Sequence, residues 1–362
     1  MKSFDEVFID KTKYGTKVKT DGYHDVGKNL IIDQGQKVVA GYTDQEDGIF
    51  DDVPVIIFGD HTRVVKYIDK PFFLGADGVK VLRCKLKDAN YKYLYYALKN
   101  AKIPDTGYNR HFKWLKEVVL RYPCLDEQSR IVEVLDKVND VINARKKELE
   151  ELDNLIKSRF IEMFNNNNFE KDELNRNVEE MFIGPFGSSL KNDCFVEKDK
   201  SYCMVYEQKH AIQKTMNVPT RYVNYDKFKE LQRFNVIGGD IIVSCRGTIG
   251  EIYSVPINAP LGIMHPSIMK IRLKKDKYCN LFFVYLLEQY MQENINKANG
   301  TGIKMAVSAK ELGKERFVLP PIHIQKDFEN FVKQTDKLKI EVQKSLDKTQ
   351  LLFNSLMQEY FG

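Results

Sequence analysis

Residues 123–164, PCLDEQSRIVEVLDKVNDVINARKKELEELDNLIKSRFIEMF, recur as residues 320–361, PPIHIQKDFENFVKQTDKLKIEVQKSLDKTQLLFNSLMQEYF, at a constant offset of 197 and without a gap. Pro123 aligns with Pro320, Leu125 with Ile322, Gln128 with Gln325, Ile131 with Phe328, Ser158 with Ser355, Glu162 with Glu359 and Phe164 with Phe361. A repeat at this distance means two copies of one structural unit, each a globular part leading into a long helix. A chain of two similar halves is prepared to bind something that also has two halves.

The helices carry a heptad period. Steps of four and three from Ile131 reach Leu135, Val138, Ile142, Arg145, Leu149, Leu152, Ile156, Arg159 and Met163, and 8 of these 10 positions are apolar. The same register from Phe328 reaches Val332, Thr335, Lys339, Val342, Leu346, Thr349, Phe353, Leu356 and Tyr360, with 7 of 10 apolar. Matching seams predict two helices that pack on each other rather than each lying on its own domain. A helix of about 34 residues is about 50 Å long, more than the width of a domain of this size.

The globular parts repeat more faintly. VKVLRCKLKDANYKYLYYAL (79–98) realigns on IMKIRLKKDKYCNLFFVYLL (268–287) at offset 189, each an alternating strand, a polar turn and a helix. VPVIIFGDHTR (53–63) and GDIIVSCRGTIG (239–250) are apolar β-branched runs ending in loops of Gly, Thr and Arg. The expected fold class is therefore α+β (mixed α/β). Residues 1–122 form a first globular domain, 123–164 a central helix, 165–169 a linker around NNNN, 170–319 a second globular domain and 320–362 a second long helix. An antiparallel helix pair would give the molecule a pseudo-two-fold axis and two heads at fixed separation. Two-fold arrays of heads engage duplex DNA at two half-sites.

Composition sets outer limits. At 362 residues, 43% hydrophobic and 30% charged, the chain supports two domains with real cores. The net charge of +5 permits nucleic-acid binding without requiring it, so the placement of charge matters more. Basic residues thicken in loops such as IDKTKYGTKVKT (9–20), HTRVVKY (61–67) and NRHFKWLK (109–116), whereas many acids sit on helical segments. Six cysteines without a CxxC pair, no signal-like N-terminus and no long apolar run fit a cytoplasmic protein with reduced thiols and no membrane span.

Catalytic patterns do not occur. GPFGSSLK (184–191) has the wrong order for a phosphate loop, and neither HExxH, a nucleophile elbow nor GxGxxG is present. Pro104-Asp105 has no following Glu-x-Lys for a nuclease carboxylate set, and Pro320-Pro321 sits in Leu-Pro-Pro-Ile rather than in the tetrapeptide of amino-methyltransferases. His61, His111 and His265 read as polar loop residues rather than ligands. The chain is expected to catalyse nothing and to hold no metal or cofactor.

The order of parts, the repeated Pro-x-x-x-x-Gln-x-x-[Ile/Phe] opening of a long helix and several loop strings resemble the specificity subunit of Type I restriction–modification systems. The strings are DQGQKVVAGYTD (33–44), FGDHTRVVKYIDKPFFLGADGVKVL (58–82), GYNRHFKWL (107–115), IGPFGSSLK (183–191) and GDIIVSCRGTIG (239–250), and the resemblance spans the chain. It implies two target-recognition domains, each reading one half of an interrupted site in double-stranded DNA, with the helices as spacer. It also implies docking of two methyltransferase subunits that bring S-adenosylmethionine and, in a complete system, of motor–nuclease subunits. One departure is a start straight into the first recognition domain, with little leader. Scaffolding proteins with paired protein-binding heads are the alternative class; they call for apolar head patches, and these loops are basic and polar. A detached part of a fused restriction enzyme would need a catalytic motif in this chain.

The loops supply the residue types for such recognition. Arg addresses guanine bidentately, Asn and Gln address adenine, and Thr meets a base edge or a phosphate. Most loop lysines would set register on phosphates. In the first domain Lys11, Lys13 and Lys17 are the backbone candidates, and Gln34, Gln36, Tyr42, His61, Thr62, Arg63, Asn109 and Arg110 the groove candidates. In the second domain the candidates are Ser188, Ser189, Lys191, Arg246, Thr248, His265 and Lys304. Glycines such as Gly59, Gly184 and Gly247 are read as turn formers.

Overall fold

The computed structural model describes all residues except Ala76, Tyr108, Asn166, Asn167 and 300–307, and the side chains of 295–299. The chain divides into two compact units, Met1–Leu149 with Glu341–Gly362, and Glu150–Ile340. Each long helix therefore contributes to both units. Mixed α/β content and two long helices are as expected.

The first unit is built on a four-stranded antiparallel sheet in the order Phe8–Asp10, Val79–Cys84, Val55–Gly59, Val65–Ile68. A three-stranded sheet, Gly41–Thr43, Asn29–Ile32, Phe72–Leu74, holds one parallel pair. Lys2–Ser3 and Val119–Leu120 close a small ladder. The run VIIFG is buried at every residue, which explains why it lacks alternation. Helix α1 (Tyr91–Lys99) begins at Asn90, whose side chain accepts hydrogen bonds from the amides of Lys92 and Tyr93. Its Tyr93, Leu94, Tyr96 and Ala97 share one core with Ile131, Val132, Leu135 and Ile142 of helix α2 (Leu125–Phe160).

The second unit repeats this plan. Its four-stranded sheet runs Val178–Ile183, Ile268–Leu273, Ile241–Ser244, Ile252–Ser254, and a second sheet runs Tyr222–Val223, Cys203–Tyr206, Gly262–Met264, Asn235–Val236. Lys171–Glu173 and Arg316–Val318 form the matching small ladder. Helix α3 (Asn280–Asn299) takes the place of α1, and helix α4 (Ile322–Phe361) the place of α2. A π-helical turn, Ile161–Asn165, follows α2, so the regular helix ends earlier than the repeat does.

The heptad seams are buried within each unit. In the first, Ile131, Leu135 and Ile142 join Leu346, Phe353 and Met357, with Val138, Leu149 and Leu356 packed against them. Val342 is buried there too. In the second, Ile156, Phe160 and Phe164 join Phe328 and Val332, and Leu152 is half-buried. Phe328 has ring centroids 5.4 Å from Phe160, 5.5 Å from Phe164 and 5.3 Å from Tyr285. Asp153 pairs with Lys339 at 2.6 Å and Arg159 lies over Phe331, so the two helices run antiparallel there. The charged seam residues are half-buried and satisfy their heads locally: Arg145 on Glu148, Arg159 on Glu162 and Lys339 on Asp153.

Candidate nucleic-acid interface

In a sheet whose strands alternate in direction, the loops at one edge come together. In the first unit this edge collects the segment after Asp10, the hairpin after Gly59 and the turn before Val79. The turn after Ile32 is bound to them. Asp60 organises it. Its amide donates to the Gly78 carbonyl, its carbonyl accepts from the His111 amide, and its carboxylate accepts from the Phe112 amide at 2.7 Å. His111 is thus buried, with Nδ1 on the Asp60 carbonyl at 3.1 Å, and not the polar loop residue expected. Through it Asn109 and Arg110, both exposed, are carried to the same edge.

Most first-unit candidates meet here. Lys17 pairs with Asp77, whose pKa is lowered first by the Lys17 hydrogen bond and further by Arg110 nearby. Lys11 and Lys13 flank the exposed ring of Tyr14 at 4.9 and 4.8 Å. Gln34 is engaged at both ends: Nε2 donates to the Asp77 carbonyl and Oε1 accepts from the His61 amide. Thr62 Oγ1 donates to the Gln34 carbonyl at 2.6 Å. Beneath them, buried Lys66 donates to the Asp33 carbonyl at 2.7 Å; burial lowers its pKa against the opposing pull of Asp33. Gln34, His61 and Thr62 thus fasten loop to loop. Arg63 adopts φ 60° and reaches Asp105 at 2.6 Å. Gln36 and Thr62 are exposed. Tyr42 lies off this edge, on the strand beside Leu30.

The second unit builds the same edge from different residues. Ser188, Ser189 and Lys191 follow the strand ending at Ile183, in a loop whose Phe186 is 87% exposed. Arg246 and Thr248 occupy the hairpin after Ser244, held by the Ser244 hydroxyl donating to the Thr248 carbonyl at 2.6 Å. Gly247, at φ 66°, makes the left-handed turn that a side chain would strain. His265 donates its amide to Tyr206, and its Nδ1 meets Ser267 Oγ at 2.7 Å; burial lowers its pKa. Lys304 lies outside the described residues.

One correspondence escaped the sequence reading. Asp33-Gln34 follows the strand Asn29–Ile32, and Glu207-Gln208 follows its counterpart Cys203–Tyr206; both strands pair in parallel with the same register. Glu207 is buried and ion-paired to Arg221 and, at 2.8 Å, to Lys209. Burial works to raise its pKa, but these pairs outweigh it and the carboxyl is held below its usual range. Lys209 and Arg221, which hold Glu207, lie close enough to His265 for their charges to act on it, as does Arg246; Lys209 and Arg221 were not among the candidates. The signal was an acid–Gln dipeptide ending each apolar run.

Among the described residues no group of three or more His, Cys, Asp or Glu is placed to hold a metal ion, and no helix is long and apolar enough to cross a membrane. Burial pushes the thiols of Cys203 and Cys245 up to about 11, away from nucleophilic service.

The sequence matches the family model for the Type I restriction modification DNA specificity domain over residues 5–154 and 175–351. It is 24% identical over 301 residues to the putative type I restriction enzyme MjaX specificity subunit of Methanocaldococcus jannaschii, covering 78% of this chain and 70% of that one. It is 30% identical over 157 residues to the EcoR124I/EcoR124II specificity subunit of Escherichia coli, 38% of each chain. The fold resembles the S subunit of a type I restriction–modification system from M. genitalium, with TM-score 0.54 and 17% identity over 100% of this chain and 95% of that one. A chain from a structure of type I system assembly and conformational transition gives TM-score 0.61 at 14% identity, covering 98% and 97%. Two heads of one topology, two long helices and a family match across nearly the whole length converge, and the chain belongs to the Type I restriction modification DNA specificity domain family.

Proposed function

We propose that this chain is the non-catalytic DNA-specificity subunit of a type I restriction–modification assembly, each unit reading one half of an interrupted duplex site. The observation that carries the reading is the same loop edge built twice, on sheets of identical strand order, with different side chains displayed on each. Identical scaffolds with unlike edges suit a site whose halves differ in sequence. Exposed Arg110, Lys191 and Arg246, with Lys13 and Lys17, would meet phosphates and base edges.

Two methyltransferase subunits would supply S-adenosylmethionine and the chemistry, and motor–nuclease subunits would join a complete system. Support for docking lies on the helices. Val141 and Leu155 of α2 and their repeat mates Leu338 and Leu352 of α4 are all exposed apolar residues that the seam does not use. Exposed apolar positions that recur in both copies of the repeat suit two copies of one partner.

The test is to express the chain with a type I methyltransferase in a methylation-free host and read the methylated motif by long-read sequencing. Replacing residues 1–122 by the corresponding part of another family member should change one half of the motif and leave the other intact, because contacts made by separate units add. Loss of any two-part motif, or a change in both halves, would refute the proposal.

A further inference from the structure

Gln128 and Gln325, aligned by the repeat, are both fully buried. Gln128 Oε1 accepts from the Asn90 amide at 2.9 Å, and its Nε2 donates to the carbonyls of Pro123 at 2.9 Å and Asp88 at 3.5 Å. Gln325 Oε1 accepts from the Cys279 amide at 2.8 Å, and its Nε2 donates to Pro320 at 2.7 Å and Lys277 at 2.9 Å. Asn90 and Cys279, like Asp88 and Lys277, are themselves equivalent at the offset of the globular parts. One side chain thus ties the first turn of each long helix to the turn that joins a head's central strand to its own helix. Neighbouring ties differ: Asp136 takes Tyr96 and Lys92 in the first unit, while Glu329 takes the Leu281 amide in the second. Of these ties among the described residues, the glutamine geometry is the one common to both.

That central strand, Val79–Cys84 or Ile268–Leu273, starts at the loop edge and ends at the clamped turn. Six residues of strand span about 20 Å. A tilt of about 10° at the clamp moves the loop edge by about 3.5 Å, close to one base-pair step of about 3.4 Å. Apolar packing alone is non-directional and tolerates such a tilt, whereas three hydrogen bonds to one planar amide do not.

We propose that Gln128 and Gln325 are positioning residues that fix the angle of each head on its helix and so set how strictly the gap between half-sites is enforced. This rests on the specificity-subunit reading above. The chain assembled with a type I methyltransferase is first used to select a motif from duplexes with a randomised centre. Affinities are then measured for that motif and for versions with the gap one base pair longer or shorter. The parent should prefer the selected gap by about tenfold or more, the scale of a mismatched base pair. Gln128→Met and Gln325→Met, which keep the volume and lose the bonds, should cut this preference to about twofold while the half-site sequences stay the same.

Leu115→Ala, a core truncation in the first unit, is the control: it lowers thermal stability and should leave the gap preference unchanged. Gln128→Glu keeps the acceptor and removes the donor, and should show the same relaxation if a Met variant fails to fold. Folded variants with the parent's gap preference, or a control that relaxes it equally, would overturn the inference. A parent that selects no two-part motif would instead overturn the functional reading beneath it.

Discussion

Asp105→Asn tests whether the Arg63 guanidinium can be freed to serve a DNA phosphate. Arg63 Nη2 sits 2.6 Å from Asp105 Oδ2, with the carboxylate side chain 66% exposed. The turn that presents Asp105 depends on its other oxygen, which accepts the Gly107 amide at 3.0 Å. An asparagine keeps that oxygen and removes the charge, so the loop geometry should persist while Arg63 loses its counterion. A backbone phosphate is the natural replacement. Each phosphate newly neutralised steepens the dependence of log K on log salt by about 0.9. Between 50 and 200 mM salt, the variant should therefore lose about 3.5-fold more affinity than the parent, from a higher starting value at low salt. Arg63→Ala in the parent background should leave the slope nearly unchanged, because that charge is already satisfied within the protein. Fluorescence anisotropy on the selected duplex at a series of salt concentrations measures both. The reasoning fails if Asp105→Asn leaves the slope alone and Arg63→Ala lowers it by nearly one, since Arg63 would then be leaving Asp105 for DNA in the parent complex.

The isolated chain should transfer no methyl group from labelled S-adenosylmethionine and cut no duplex, and methylation should begin only when a methyltransferase is added; label on DNA from the chain alone would contradict this. Phe328→Ala removes a fully buried ring packed on Phe160, Phe164 and Tyr285 and should cost about 3–5 kcal/mol. Hydrogen exchange should locate the loss in residues 150–340, and equal loss in both units would show that they unfold as one. A heptad inserted after Leu149 together with one after Leu346 should preserve the seam and add about 10 Å of helix, about three base pairs. The methylated motif should then show a longer gap between unchanged half-sites, whereas an unchanged gap in an active variant would deny the helices a spacing role.

The repeat was legible where side chains serve the backbone. Gln128 and Gln325 survive as letters because each holds main-chain groups, which do not depend on neighbouring identities. Seam positions were legible through their period, including Thr335, which is buried and satisfies its hydroxyl on the Phe331 carbonyl. The loop edges were not. Asp33-Gln34 and Glu207-Gln208 end equivalent strands, but NLII and CMVY share no residue and the loops between markers differ in length. Gln34 looked available for a base because its loop is polar; its amide is consumed by Asp77 and the His61 amide, which no local pattern announces. His111 sits among basic residues and is buried by Asp60, fifty-one positions away. Long-range hydrogen bonds that shape loops leave no periodic trace.

The composition of the units also fixes the order in which they can be completed during synthesis. The second unit is a single stretch, Glu150–Ile340, while the first needs Glu341–Gly362 to complete it. On a ribosome, the head made second is the first whose contacts can all form. The head made first lacks part of its core until then: Ile131, Leu135 and Ile142 of α2 can pack on α1 but stay uncovered on the side that Leu346, Phe353 and Met357 will fill. During that interval the nascent chain carries an apolar helix face in search of a mate, which makes the first half, not the second, the part most exposed to aggregation and to chaperone capture.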